Sequence, residues 1–151
     1  MLRKILLICA LILSWPPPAE TARGDRQEQR SLRREGRRLL ERVDLAWKAV
    51  RWQDPQTLAS LLEDPSQRLQ FLSTHSASSR SYRSVEILGV DIGPAQADGA
   101  RQATVLVQVQ VFDNNELVLR TELLRQGWVL HQGLWWIVPG EELGVQVKGP
   151  D

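Results

Sequence analysis

The sequence predicts an α+β domain, with helices in the first half of the chain and an antiparallel sheet in the second half. Between residues 25 and 52 the apolar side chains recur with the helical period, and from residue 82 onward they alternate with the strand period. Turn-forming residues separate the alternating segments, as is typical of consecutive hairpins. The expected structure is a long N-terminal helix and two short helices packed on a curved antiparallel sheet of about four strands.

The first 22 residues have the pattern of a secretory signal peptide. Arg3 and Lys4 supply the positive start, and residues 5–13 supply an apolar run. That run is much shorter than the ~20 residues that a membrane-spanning helix needs. We therefore expect export to the periplasm or the extracellular space. The alternative is an uncleaved N-terminus that anchors the protein in the inner membrane. Cys9 is the only cysteine and lies within this segment, so the rest of the chain has no thiol for a disulfide or a zinc site.

The first predicted helix, from about residue 25 to residue 52, is strongly basic at its start. Residues 23–42 contain eight arginines against four acidic residues, although the whole chain has a net charge of only +1. The apolar positions form a stripe about 120° wide, and the arginines lie outside it. Its members are Leu32, Gly36, Leu39, Leu40, Val43, Ala46, Trp47 and Val50.

This basic face has two interpretations. Clustered positive charge gains energy beside anionic lipid head groups or an acidic partner, so the face is a candidate for peripheral contact with an anionic membrane. The alternative is a solvated helix surface supported by i to i+4 ion pairs such as Arg37 with Glu41. Nucleic acid is not expected, because no aromatic residues interleave with the arginines. The candidate residues are Arg33, Arg34, Arg37 and Arg38.

Two Asp-Pro pairs, at residues 54–55 and 64–65, each predict the start of a short helix. Aspartate is a good N-cap, and proline fits the first helical position. The first of these two short helices is expected to bury Leu58, Leu61 and Leu62, and the second is expected to bury Leu69, Phe71 and Leu72. A polar loop at residues 73–81 follows, in which His75 is expected to be solvated.

Three long alternating segments and one short apolar segment predict the strands. Residues 82–92 form the first, with a bulge near Ile87 or Leu88 because the apolar set changes face there. Residues 101–112 form the clearest strand, and its buried face is expected to carry Ala103, Val105, Val107, Val109 and Val111.

The last hairpin occupies residues 116–139 and follows a turn at residues 113–115. We expect its own turn at residues 131–133 and a bulge at Gly127. The inward face of its long strand is expected to carry Leu117, Leu119, Thr121 and Leu123. Trp136 is expected in the core with Leu134 and Val138, whereas Trp135 and Ile137 are expected to point outward.

The closing motif W-V-L-H-Q-G-L-W-W-I-V at residues 128–138 resembles the closing hairpin of the nuclear transport factor 2-like superfamily. This superfamily includes ketosteroid isomerase, SnoaL-type cyclases and the periplasmic domains of some secretion-channel components. The resemblance spans about residues 39–139 and implies a sheet that curves around the helices. The expected organisation is a signal at 1–22, an Arg-rich helix start at 23–38, the domain at 39–140 and a tail at 141–151.

The expected inward face offers no group for acid-base chemistry, since its side chains are aliphatic apart from Thr121. The resemblance to ketosteroid isomerase leaves Asp91 and Tyr82 as the only pair that matches that family's acid and tyrosine. They define the alternative of a small enzyme or an apolar-ligand-binding domain. Surface positions are expected for the other titratable candidates, which are Glu86, Glu122 and His131. No metal and no cofactor are expected, since neither a patterned ligand set nor a phosphate loop is present.

The outward face of the sheet mixes apolar and amide side chains, as association surfaces do. In the resembling superfamily, sheets commonly pair through this face. The expected partner surface comprises Phe112, Arg120, Glu122 and Trp135. The sequence thus favours a non-enzymatic, exported binding or assembly module of the cell envelope, with a protein partner or a second copy on the outer sheet face. The anchored periplasmic domain of an envelope complex remains an alternative.

Overall fold

The computed structural model describes residues 19–75, 80–113 and 117–140, and it confirms the predicted α+β class. Three helices precede a four-stranded antiparallel curved sheet whose strands are adjacent in chain order. The elements are α1 Ala19–Trp52, α2 Pro55–Ser60, α3 Pro65–Thr74, β1 Arg80–Ile92, β2 Arg101–Asp113, β3 Val118–His131 and β4 Leu134–Ile137. Cys9, most of the expected signal, residues 114–116 and the expected tail lie outside the described residues.

Helix α1 extends farther toward the N-terminus than the sequence indicates. It begins at Ala19 and so includes the last residues of the expected signal. Only its second half packs in the core, through Leu39, Val43, Ala46, Trp47 and Ala49. Leu40, expected on the buried stripe, is 41% exposed. The side chains described between residues 24 and 30 are all exposed, so the first half of α1 lies largely beyond the core.

Both aspartate N-caps are confirmed. An Asp54 carboxylate oxygen accepts from the Thr57 backbone N–H at 3.1 Å, and Asp64 accepts from the Ser66 backbone N–H at 2.8 Å. Four of the side chains predicted to be buried by the two short helices are buried: Leu58, Leu61, Leu62 and Phe71. The prediction for Leu69 is wrong, because this side chain lies on the outer side of α3 and is 71% exposed.

Strand β2 has the predicted alternation, and its valine face lies against the helices. Val105, Val107 and Val109 are completely buried, and Val111 is 2% exposed. Strand β1, at one edge of the sheet, has a register shift between Ile87 and Gly89, which confirms the expected bulge. It has a second shift between residues 82 and 84.

Strand β3 buries the opposite face from the one that the sequence predicts. The pairing of β3 with β2 runs without a shift through Gly127, so the expected bulge is absent. Without that bulge one alternation holds along the whole strand, and Trp128 in the core requires the even-numbered residues to face inward. Leu117, Leu119 and Leu123 are therefore exposed by 74%, 55% and 62%. Gly127 instead allows a close approach, because a Cβ at this position would lie 3.2 Å from the Val138 Cβ.

The buried face of β4 also differs from the prediction, because the inward side chains are shifted by one residue. The turn has two residues, Gln132 and Gly133, both with positive φ, so that His131 is paired with Leu134 and belongs to the strand. The predicted core position of Trp136, with Leu134 and Val138 on the same face, is therefore wrong. The buried residues are instead Trp135 and Ile137, at 1% and 3% exposure.

The outer edge of β4 is held by the helices. The Ile137 backbone N–H donates to the Leu61 carbonyl at 3.0 Å. The Trp135 indole N–H donates to the Glu35 carbonyl at 3.0 Å, and Arg42 Nε donates to the Trp135 carbonyl at 2.9 Å. These three bonds connect the last strand to α1 and to the end of α2.

Candidate interaction surfaces

The acid and tyrosine of the enzyme alternative do not form a site. Tyr82 faces inward at the start of β1, where its ring meets Trp47 edge-on at 5.4 Å between centroids. Asp91 pairs with Thr104 on the outward face and is exposed. Nine residues of strand separate the two, which corresponds to roughly 30 Å. The pairing of Asp91 with Tyr82 is therefore wrong, because the two side chains lie at opposite ends and on opposite faces of β1.

The inward face nevertheless carries a charged pair that sequence reasoning placed outside. Glu122 lies opposite Val109, on the same side as the valines, and forms an ion pair with Arg80. Tyr82 is close to both charges. Burial raises the pKa of its phenol, while Arg80 lowers this pKa and Glu122 raises it. The Glu122 carboxylate is thus occupied by a guanidinium at the rim of the core.

A second ion pair, between Glu35 and Arg101, fixes the middle of α1 to the start of β2. Glu35 Oε2 lies 2.9 Å from Arg101 Nε, and the two side chains are 19% and 8% exposed. Arg101 also donates to the Gly93 carbonyl at 3.2 Å, and Glu35 accepts from the Ser31 hydroxyl at 2.8 Å. No sequence pattern indicated this pair, because the two residues are far apart in the chain.

Trp136 lies between charged groups at the corner formed by α1, α3 and β4. The guanidinium carbons of Arg42 and Arg68 are 5.3 Å and 5.5 Å from its ring centroid. Burial lowers the pKa of Arg42, and the positive charge of Arg68 lowers it further. Nearby, His131 contacts Glu63 at the surface. Trp136 thus packs against two cations at the border of the core.

The outward face of the sheet consists of side chains that are exposed or half-buried. Leu106, Gln108, Gln110 and Phe112 come from β2, and Leu119, Thr121, Leu123, Arg125 and Val129 come from β3. Of the four residues expected here, Phe112 is confirmed on this face, with Arg83 at 5.7 Å from its ring centroid. Arg120 and Glu122 belong to the inward face, and Trp135 is buried, so their expected placement is wrong.

The basic face of α1 is solvent-exposed, as expected. The exposed arginines comprise the predicted Arg33, Arg34, Arg37 and Arg38, together with Arg26 and Arg30. The ion pair expected between Arg37 and Glu41 is not formed; on the same helix Lys48 pairs with Asp44 at 2.7 Å. Arg26, Arg30, Arg34 and Arg38 are also among the described residues that line an open groove of about 570 Å³.

The C-terminal end of α1 exposes a tryptophan. Trp52 is 82% exposed and lines a shallow groove of about 400 Å³ with Arg51, Ser81, Tyr82 and Arg83. His75 is the C-cap of α3 and is half-buried, with its ring centroid 4.9 Å from that of Phe71.

Taken together, these features define an α+β protein with one sheet face covered by helices and the other face open. In the part of the chain that the structure describes, no cluster of three or more His, Cys, Asp and Glu side chains is arranged to hold a metal ion. Helix α1 is long, but neither it nor any other described helix has the apolar stretch that crossing a membrane requires. Comparison with protein-family models, with curated proteins and with solved structures found no match to this chain.

Proposed function

We propose that this protein is a non-enzymatic, exported binding and assembly module of the cell envelope that pairs with a second copy through its outward sheet face. The observation that carries the proposal is the exposure of Leu119 and Leu123, at 55% and 62%, on a face that also holds Phe112 and Leu106. Several exposed apolar groups on one face of a sheet, interleaved with uncharged polar ones, are typical of a site of association.

A second copy fits this face better than a charged partner does. Between the leucines the face carries uncharged polar side chains, Gln108, Gln110 and Thr121. Its exposed charged residues, Glu86, Asp91 and Arg125, include both signs, so the face can be complementary to itself, as a two-fold interface requires. Three strands of about 13 residues cover roughly 600 Å², with ~3.3 Å per residue and ~4.8 Å between strands. Stable interfaces bury about 800 Å² per partner, so the whole of this face, together with side chains at its rim, would take part.

Two sequence features support the location and the family. The positively charged start and the apolar run at residues 5–13 support export through a signal peptide. The order of helices followed by a meander, and the closing hairpin, support a nuclear transport factor 2-like domain. In that superfamily sheets commonly pair through the outward face. Mass spectrometry of the mature N-terminus tests export: a terminus near residue 20 or 23 supports cleavage, whereas an intact Met1 supports the anchored alternative.

Sedimentation equilibrium of the full chain tests the pairing. We expect a dimer for the natural sequence and a monomer for the double variant Leu119→Glu/Leu123→Glu, because four carboxylates would then face one another in the dimer. Both leucines are exposed, so the variant retains its circular dichroism spectrum. The matched control is Leu69→Glu, an equally exposed leucine on α3, which should remain dimeric. A natural chain that is monomeric at tens of micromolar, or a double variant that still dimerises, would overturn the proposed pairing.

A further inference from the structure

We propose that the exposed half of α1 binds an anionic phospholipid surface through six arginines, which we call the arginine face. They are Arg26, Arg30, Arg33, Arg34, Arg37 and Arg38, and all six are exposed. The proposal concerns a different part of the molecule from the outward sheet face and does not depend on pairing.

The arginine face is one-sided. At about 100° per residue the six side chains fall within an arc of roughly 140°, and they extend over about 18 Å of helix. The buried stripe that contains Leu39, Val43 and Trp47 is centred on the opposite side of α1. When α1 is packed against the sheet, the arginines therefore point away from the core and toward a common surface.

Within the described residues, no carboxylate neutralises the positive charge of this face. In the described part of the chain, none of the six guanidinium groups forms an ion pair with a carboxylate. Glu28 lies on the far side of the helix. Glu35 borders the groove lined by Arg34 and Arg38, but its carboxylate is engaged with Arg101. Glu41, one turn beyond Arg37, is the first acidic residue on the same side. The local field is therefore strongly positive along the whole arc.

A lipid surface fits these observations better than an acidic protein or a nucleic acid. Between residues 26 and 38 the arc contains no apolar or aromatic side chain that would act as an anchor in a protein interface. It also lacks the aromatic groups on which single-stranded bases stack. A layer of anionic head groups needs neither feature, because it is recognised by clustered positive charge at its surface.

Vesicle sedimentation of the full chain tests the proposal. The natural protein should partition much more strongly onto phosphatidylcholine vesicles that contain one third phosphatidylglycerol than onto vesicles of phosphatidylcholine alone. The pure phosphatidylcholine vesicles measure any contribution of the apolar residues 5–13. Each arginine near an anionic surface contributes about fivefold in affinity, so replacing four of them by glutamine should weaken partitioning by up to several hundred-fold. The test variant replaces Arg30, Arg33, Arg34 and Arg37.

The matched control removes the same number of positive charges elsewhere on the surface. It replaces the exposed Lys48, Arg51, Arg83 and Arg125 by glutamine. The control should keep the preference for anionic vesicles to within about tenfold. Lys48 and Arg51 lie roughly 15 Å or more beyond Arg38 along α1, which exceeds the ~10 Å Debye length, and Arg83 and Arg125 lie on the sheet. Equal losses in both variants would show that only net charge matters and would overturn the proposal. No preference for anionic vesicles, or tighter binding to duplex DNA than to vesicles at the same ionic strength, would also overturn it.

The outcomes are separable from those of the proposed pairing. The arginine variant should remain as dimeric as the natural chain in sedimentation equilibrium. Loss of the lipid preference in a protein that still dimerises refutes only the lipid proposal. A natural chain that is monomeric but prefers anionic vesicles refutes only the pairing.

Discussion

Replacement of Glu35 by glutamine should destabilise the fold, because it leaves the buried Arg101 without its counterion. The Arg101 side chain is only 8% exposed, and the Gly93 carbonyl would be its remaining partner. Removal of one member of a buried pair costs 3–5 kcal/mol in other proteins, so we expect about 3 kcal/mol here. The free energy of unfolding can be measured by urea denaturation followed by tryptophan fluorescence. The melting temperature should fall by about 10 °C.

Two further variants separate the ion pair from other effects. Glu41→Gln, on an exposed position of the same helix, should change the free energy of unfolding by less than about 0.5 kcal/mol. The double variant Glu35→Leu/Arg101→Met replaces both charges with apolar groups and should lie within about 1 kcal/mol of the natural protein. A cost below about 1 kcal/mol for Glu35→Gln, or no recovery in the double variant, would refute the assigned role of the pair.

Three other predictions concern local structure. Gly127→Ala should cost about 1 kcal/mol in urea denaturation, because its new methyl group meets the Val138 Cβ at 3.2 Å. The same substitution should cost much less in a Val138→Gly background, where that Cβ is absent, and an equal cost in both backgrounds would contradict the contact. Hydrogen bonds from Thr57 lower the pKa of Asp54 in the folded protein. The stabilisation by this carboxylate is therefore present above its unfolded pKa and is lost as the pH falls through the lower folded pKa. Asp54→Asn should reduce the acid sensitivity of the melting temperature, and an unchanged profile would argue against this cap. Tyr82 is the only tyrosine, and burial raises its pKa above 10.0. Tyrosinate absorbance should therefore appear at higher pH in the folded protein than in denaturant, and the free energy of unfolding should fall as the pH rises from the unfolded toward the folded pKa. Coincident titrations would show that the ring is solvated.

Sequence reasoning succeeded where the signal is local. The Asp-Pro pairs specify both short helices through the side chain of one residue and the ring of the next, and no distant contact is needed. The valine alternation of β2 is unambiguous because only one of its faces is continuously apolar. The change of apolar face at Ile87 indicated the bulge in β1 for the same reason.

The errors in the last hairpin have a common cause, which is the parity of a two-residue repeat. A shift of one residue moves every side chain to the other face of a strand. Both faces of β3 carry leucines, so its pattern is compatible with either phase, and the phase that was predicted is the wrong one. The positive φ of Gln132 and Gly133 fixes a two-residue turn, and recognising that turn would have placed Trp135 in the core.

The charged contacts could not be inferred from sequence for a different reason. Each ion pair joins two residues that are distant in the chain. The pairing of Glu35 with Arg101 follows only from the docking of α1, and that of Arg80 with Glu122 follows only from the register of the strands. The correct outward face likewise follows from the β3 register. The observed outward face lacks Trp135, which is buried, and includes the exposed Leu119 and Leu123, which were predicted to face inward.

Both edges of the sheet are protected against the addition of a further strand, although by different means. At β4 the Ile137 N–H is already engaged by Leu61, and at β1 two register shifts interrupt the regular row of hydrogen-bonding groups. An uninterrupted edge is a template on which further strands can add without limit, and bulges are one of the devices by which natural sheets prevent this. Growth of this protein into fibrils by strand addition is therefore disfavoured at both ends of the sheet.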